Sequence, residues 1–168
     1  MLEFVGVKPN MTVVEISPGG GYWTEILAPY LSEKGTYYTA ITPRSADSWQ
    51  KKLDSNKALY GKVKVTDMSK GEVAPAGSAD VVVTFRNVHN WRMGYRRDDK
   101  QDYSAEAFRQ IYAMLRPGGV LGVVDHRLPE GASDERERNS GYIKVSTIRR
   151  LAEGAGFKFV GASEVNAN

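Results

Sequence analysis

Short apolar runs alternate with amphipathic stretches along this chain. Thr12 to Ile16 (TVVEI) is a β-branched run holding one carboxylate, and it passes directly into Ser17-Pro18-Gly19-Gly20-Gly21. That pattern predicts a buried strand ending in a glycine turn. Ile26, Leu27, Tyr30 and Leu31 then recur on one helical face and Gly35 closes the segment, with Pro29 placed to kink or limit the helix. Thr36 to Thr42 (TYYTAIT), stopped by Pro43, predicts a second strand, and a polar helical stretch over residues 46–53 leads to a third, Val63 to Asp67. Asp80 to Phe85 (DVVVTF) is the most strand-like segment, a largely apolar run that suits a central parallel strand covered on both faces. Ser104 predicts the N-cap of a helix whose Phe108, Ile111, Tyr112 and Leu115 face inward, ended by Arg116-Pro117-Gly118-Gly119 before a fifth strand, Val120 to Val124. Residues 127–140 are polar and aperiodic, a predicted surface loop. A last helix with Ile148, Leu151, Ala152 and Ala155 inward and Gly156 as its cap precedes a sixth strand, Phe157 to Val165.

Strands alternating with helices imply parallel β-α-β units with right-handed crossovers, hence an α/β fold with an open doubly wound, mostly parallel sheet. At 168 residues one domain spanning residues 1–168 is expected. Its 41% apolar and 26% charged residues are ordinary for a globular core. The net charge of +3 comes from scattered lysines and arginines; the densest spots, Arg96-Arg97 and Arg149-Arg150, read as solvated surface rather than a nucleic-acid face. With no cysteine, disulfide, zinc-thiolate and thiol-nucleophile chemistry are excluded, and no metal site is expected. No stretch approaches the ~18 apolar residues of a membrane span. Residues 1–9 lack the features of a signal peptide, so a cytoplasmic protein without membrane partners is expected.

In a doubly wound sheet, ligands bind outside the carboxyl ends of the strands, where strand order reverses beside the first strand. The glycine turn belongs there. A dinucleotide fingerprint requires G-x-G-x-x-G/A, and here Thr24 stands where the helix-packing glycine or alanine belongs. The other pattern, an acid on the strand followed by a glycine-rich turn, fits Glu15-Ile16-Ser17-Pro18-Gly19-Gly20-Gly21 more closely.

With these residues the sequence resembles the class I S-adenosylmethionine-dependent methyltransferases, whose first motif reads acid-x-Gly-x-Gly-x-Gly. Ser17 takes the place of the first glycine. The resemblance continues at Asp67, at Ala79-Asp80-Val81-Val82-Val83 and at Leu115-Arg116-Pro117-Gly118-Gly119-Val120-Leu121. It extends to predicted methyltransferases with a similar Asp125-His126-Arg127 stretch, and it implies the Rossmann-like methyltransferase fold.

The resemblance implies S-adenosylmethionine as cofactor, S-adenosylhomocysteine as product and a small-molecule methyl acceptor. Glu15 and the turn residues Ser17, Gly19, Gly20 and Gly21 are expected at the amino-acid end of the cofactor. Asp67, with Met68 beside it, is expected at the adenine. The acid that the family usually holds after its second strand is missing, and Thr42 is left to make one bond to a ribose hydroxyl. After the fourth strand, Arg86 and Asn87 are expected along the cofactor edge and Trp91 as an aromatic wall for the substrate. His89 and His126 are the two candidate general bases, since histidine changes charge between about pH 5 and 8. Arg127 is a candidate clamp for an anionic substrate, or the ion-pair partner of Asp125. Tyr37, Tyr38 and Tyr112 read as core.

Two alternatives stay open: a cofactor-binding or interaction module without turnover, and a nicotinamide-dependent oxidoreductase. Only eleven residues precede the first strand, where the family usually has a helical lid, and the chain ends without the usual seventh strand. A homo-oligomer that covers the open sheet edge is therefore expected.

Overall fold

The apolar runs become five strands: β1 (Thr12–Ile16), β2 (Thr36–Ile41), β3 (Lys64–Asp67), β4 (Ala79–Phe85) and β5 (Leu115–Val124). In the computed structural model, which describes residues 1–71, 73–95 and 97–167, they form one parallel sheet in the order β3-β2-β1-β4-β5. Arg96, half of one basic pair, lies outside the described residues. Strand order reverses at β1, which lies between β2 and β4. Val13, Val14, Ile16, Val81, Val82 and Val83 are all fully buried, as strands covered on both faces must be. Register brings Glu15 opposite Thr39 and Val83, and Ile16 opposite Thr84, so β1 and β4 end side by side.

The chain forms two compact units. The first comprises Met1–Thr84 with Ala113–Gly122. It holds most of the sheet with helices α1 (Leu2–Val5), α2 (Tyr22–Leu31), α3 (Ala46–Asp54) and α4 (Lys57–Tyr60). The inward stripe of α2 is Thr24, Leu27, Ala28 and Leu31, whereas Ile26 and Tyr30, expected inward, are exposed. The helix is turned because Thr24 donates to buried Glu15, a polar contact that hydrophobic spacing does not register. Pro29 does limit the helix, which ends two residues later. β5 starts at Leu115 rather than Val120 and takes in Arg116-Pro117-Gly118-Gly119. The Asp80 carboxylate accepts from Arg116 Nε at 2.6 Å and from the Thr12 N–H at 2.8 Å, lacing that lead-in to the start of β4 and β1.

The second unit comprises Phe85–Tyr112 with Val123–Asn168. Its helices are α5 (Val88–Arg92), most of α6 (Ser104–Met114), α7 (Asp134–Asn139) and α8 (Val145–Gly154). The cap of α6 comes from Asp102, which accepts from the Ser104 N–H at 2.9 Å and its hydroxyl at 2.6 Å, leaving Ser104 as the first helical residue. The expected loop over 127–140 contains α7, capped by Ser133. Aperiodicity hid it because its inward residue is a charge: Glu137 is fully buried against Lys144 at 3.1 Å and Thr147 at 3.2 Å. In α8 Thr147 is the buried residue, and Ile148, Leu151 and Ala152 are half-buried.

The sixth strand does not form. Residues 157–165 are irregular, and Val160 is 89% exposed. A strand needs a neighbour for its backbone groups. Here the apolar side chains settle elsewhere, Phe157 edge-on to Tyr112 at 5.1 Å and Phe159 under the Arg149 guanidinium at 4.2 Å. Tyr37 is core as expected, whereas Tyr112 is half exposed. No helix among the described residues is long and apolar enough to cross a membrane.

Candidate functional site

In the first unit the chain leaves β1 through a turn with three residues in the left-handed region: Ser17 at φ 54°, Gly19 at 58° and Gly21 at 82°. Glycine takes such angles without a Cβ penalty and serine does not, so Ser17 carries strain that its N–H bond to the Ala40 carbonyl, 2.8 Å, helps to hold. A Cβ at Gly19 or Gly20 would meet nothing within 4 Å, so the turn opens onto free space there. At Gly21 the space is taken by the Lys52 side chain, which is paired with Glu25 at 2.7 Å. Gly21 is also the N-cap of α2, and no side chain caps that helix end. Backbone N–H groups at such an end suit an anionic or polar ligand.

Glu15 is buried, bonded to Thr24 on α2 and Tyr37 on β2. It is 1% exposed, accepts from Thr24 Oγ1 at 2.8 Å, and forms a short hydrogen bond with the Tyr37 hydroxyl. Burial raises its carboxyl above the ordinary carboxylate range, and the bonds from Tyr37 and Thr24 pull it partly back. Burial and the neighbouring Glu15 charge likewise push the Tyr37 hydroxyl well up.

A cleft of about 380 Å³ lies beyond β2 and β3, lined by Ile41, Thr42, Pro43, Ala46, Val65, Thr66, Asp67 and Lys70. It joins two residues expected in separate roles, Thr42 and Asp67, whose strands pair in register at Ile41 and Asp67. Thr42 caps a 3-10 turn (Pro43–Ser45), its hydroxyl 3.2 Å from that of Ser45. Asp67 caps the next 3-10 turn (Met68–Lys70), with Oδ1 accepting from the Ser69 N–H at 2.9 Å and hydroxyl at 2.7 Å. Its Oδ2 makes no hydrogen bond among the described residues. Lys70, at the cleft, and Ser69, at the Asp67 cap, gave no signal in the sequence because each is an ordinary polar residue until the turn places it.

The second unit gathers the residues after β4 and β5. Arg86 has φ 62° and donates its N–H to the Val124 carbonyl at 2.7 Å, while the Asn87 side chain donates to the Phe85 carbonyl at 3.0 Å. His89, on the first turn of α5, is 8% exposed, with Nδ1 2.5 Å from Asp125 Oδ1 and its N–H 3.2 Å from Oδ2. Asp125 Oδ1 also accepts the His126 N–H at 2.7 Å. His126 Nε2 accepts from Arg86 Nε at 2.9 Å, and its ring contacts those of His89 and Tyr142, with centroids 5.5 and 5.4 Å away. Tyr142 is the member of this group that the sequence did not reveal, since nothing local distinguishes it.

Two expectations are corrected here. Trp91 does not form an open wall; it is buried against Phe108, with ring centroids 5.9 Å apart, because its apolar bulk completes the core of this unit. Arg127 does not pair with Asp125, which is committed to His89, and instead reaches Glu164 at 2.9 Å on the exposed surface. Among the described residues no group of three or more His, Cys, Asp or Glu side chains is placed to hold a metal.

A family model described as a methyltransferase domain matches residues 14–123. No curated protein matches the chain in sequence. Among solved structures, the chain is similar to an S-adenosylmethionine-dependent methyltransferase from Aquifex aeolicus, with TM-score 0.71 and 17% identity over 94% of this chain and 77% of that one. It is also similar to an arsenic(III) S-adenosylmethionine methyltransferase from Chlamydomonas reinhardtii, with TM-score 0.65 and 17% identity over 88% of this chain and 52% of that one. A third is mitomycin 7-O-methyltransferase, with TM-score 0.65 and 19% identity over 89% of this chain and 43% of that one. The chain thus spans about half the length of two of these three. At such identities the likeness is one of fold.

Proposed function

This chain belongs to the methyltransferase domain family, and from that premise we propose that it transfers a methyl group from S-adenosylmethionine to a small-molecule acceptor, leaving S-adenosylhomocysteine. The observation that carries the reading is the open space at Gly19 and Gly20, on a turn that leaves β1 beside the end of β4. A ligand can meet the backbone there without displacing a side chain. In this reading the amino-acid end of the donor lies on Ser17, Gly19, Gly20 and Gly21. Adenine and ribose enter the cleft, where Asp67 Oδ2 accepts the adenine amino group and Thr42 serves a ribose hydroxyl, with Met68 alongside. Glu15 contributes from below, by holding β1, β2 and α2 in the arrangement that shapes the turn. When bound, the donor supplies a methyl group on a sulfonium, already a good leaving group, so the protein's task is chiefly alignment.

In the second unit, Arg86 and Asn87 belong to the donor edge and the two histidines to the acceptor. We assign no binding role to Trp91 and a surface ion pair to Arg127. Self-association over the free edge of β5 also belongs to this reading, and light scattering at micromolar concentration tests it: a dimer is expected, and a strict monomer removes it. The donor assignment is tested by calorimetric titration with S-adenosylmethionine, S-adenosylhomocysteine and NAD. Binding of the first two is expected; binding of NAD alone would make the chain an oxidoreductase.

A further inference from the structure

Resting on the methyl-transfer reading above, we propose that His89 is the proton acceptor for a hydroxyl carried on a planar unsaturated ring, a phenol or an enol, and that Asp125 holds it in the tautomer this requires. The Asp125 carboxylate is almost completely buried and faces three N–H groups: His89 Nδ1 at 2.5 Å, the His89 backbone at 3.2 Å and the His126 backbone at 2.7 Å. An ionised carboxylate only accepts hydrogen bonds, so His89 carries its proton on Nδ1 and keeps the Nε2 lone pair. That nitrogen makes no hydrogen bond among the described residues.

His126 is arranged the opposite way. Its Nε2 lone pair is occupied by Arg86 Nε at 2.9 Å, and a guanidinium cannot accept, so His126 carries its proton on Nδ1 and has no free lone pair. Of the two candidate bases only His89 can take a proton. The other charge on α5, Arg92, is already committed to Asp102 and Asp134.

The acceptor class follows from what surrounds the base. The His126 ring contacts both the Tyr142 and the His89 rings, with centroids 5.4 and 5.5 Å away and tilts of 46° and 43°, and Tyr142 is 47% exposed. The exposed Tyr142 ring offers a flat ring an aromatic surface, and the Arg86 cation held at His126 favours the negative charge that grows on the acceptor oxygen as its proton leaves. Thioethers and neutral amines attack through a lone pair they already have. A hydroxyl must lose its proton, and one on an unsaturated ring is acidic enough for an imidazole to take it. The step balances as follows: the acceptor oxygen bonds to the methyl carbon, the donor's C–S bond breaks with its electron pair staying on sulfur, and the O–H proton passes to His89 Nε2, where Asp125 stabilises the imidazolium.

The test uses the full chain with methyl-labelled S-adenosylmethionine and a panel of phenol, catechol, 4-hydroxycoumarin, benzylamine and thiophenol. Transfer to the hydroxyl acceptors is expected. His89→Gln should lower kcat on them by ~10²–10⁴-fold and abolish the acid limb of the rate–pH profile, with S-adenosylhomocysteine affinity unchanged within about twofold, as a group off the donor site predicts. His126→Gln should keep the acid limb, and added imidazole should restore rate to His89→Gly. Transfer confined to benzylamine or thiophenol, no transfer to any hydroxyl, or a His89→Gln variant at wild-type rate would overturn the proposal. Independently of turnover, ¹⁵N spectra of the unmodified protein should show His89 protonated on Nδ1 with Nε2 bare, and a proton on His89 Nε2 overturns it as well. Failure of the unmodified chain to bind S-adenosylhomocysteine would instead remove the donor reading, while the nitrogen spectra still decide the tautomer.

Discussion

The Tyr37 hydroxyl on β2 donates to the Glu15 carboxylate on β1 in the buried layer beneath α2, where Thr24 shares the same oxygen. The contact joins two strands and a helix through one carboxyl whose proton is held more tightly than in an exposed glutamate. The folded state therefore binds this proton better than the unfolded chain does. Stability from the neutral carboxyl is complete below its ordinary value of 4.5 and is lost as pH rises from there through the raised folded value. Glu15→Gln, which keeps an acceptor for both hydroxyls and cannot ionise, should flatten that decline. Thermal melts of both proteins across this range check it, and a decline of equal slope in the variant counts against the assignment.

Ser17 holds a left-handed backbone that costs a side-chain-bearing residue ~1–2 kcal/mol. Ser17→Gly should therefore stabilise the chain by about 1 kcal/mol, less the entropy that glycine adds to the unfolded state. Urea denaturation measures it; a loss of stability would mean that the serine side chain contributes more to the turn than its strain removes.

Gly20 has ordinary φ, and a Cβ added there would meet nothing within 4 Å, so Gly20→Val puts bulk into the opening of the turn without the backbone strain that a substitution at Gly19 incurs. Affinity for S-adenosylhomocysteine should fall by at least about tenfold, ~1.4 kcal/mol, with little change in melting temperature. Unchanged affinity would remove the turn from the donor site.

Asp67 has two oxygens with different work. Asp67→Asn can keep the acceptor on the Ser69 cap while replacing the second oxygen with a donor, and should weaken S-adenosylhomocysteine by ~1–2 kcal/mol with the fold intact. Asp67→Ala removes both and should also destabilise the turn. Equal binding losses with an unfolded Asn variant would assign the residue to the cap alone.

Arg92 is buried on α5 and binds Asp102, which caps α6, and Asp134, which opens α7, at 2.7 Å for the latter. Burial works against its charge, and the two carboxylates outweigh it. Removing it leaves the buried end of Asp102 without a counter-charge, so Arg92→Met should cost about 3 kcal/mol in denaturant unfolding. A loss below about 1 kcal/mol would place the pair with ordinary surface bridges.

The alternation of apolar runs with helical stretches determined the parallel sheet, because strands covered on both faces are predominantly apolar, and the acid-and-glycine turn after β1 announced where a ligand belongs. The sequence also named both histidines and the Asp125 stretch, since these residue types are scarce and fall at strand ends. Tertiary structure decided everything that depended on which polar group meets which. It turned Glu15 inward and rotated α2 to bring Thr24 to it. It gave Asp125 to His89 rather than to Arg127, and it brought Tyr142 to His126. It also left residues 157–165 without a strand, although their composition favours one, because a strand exists only where another backbone receives its hydrogen bonds. Periodicity records which side chains avoid water; the partner each polar group finds when it does so is set by packing across the sheet and between helices distant in the chain.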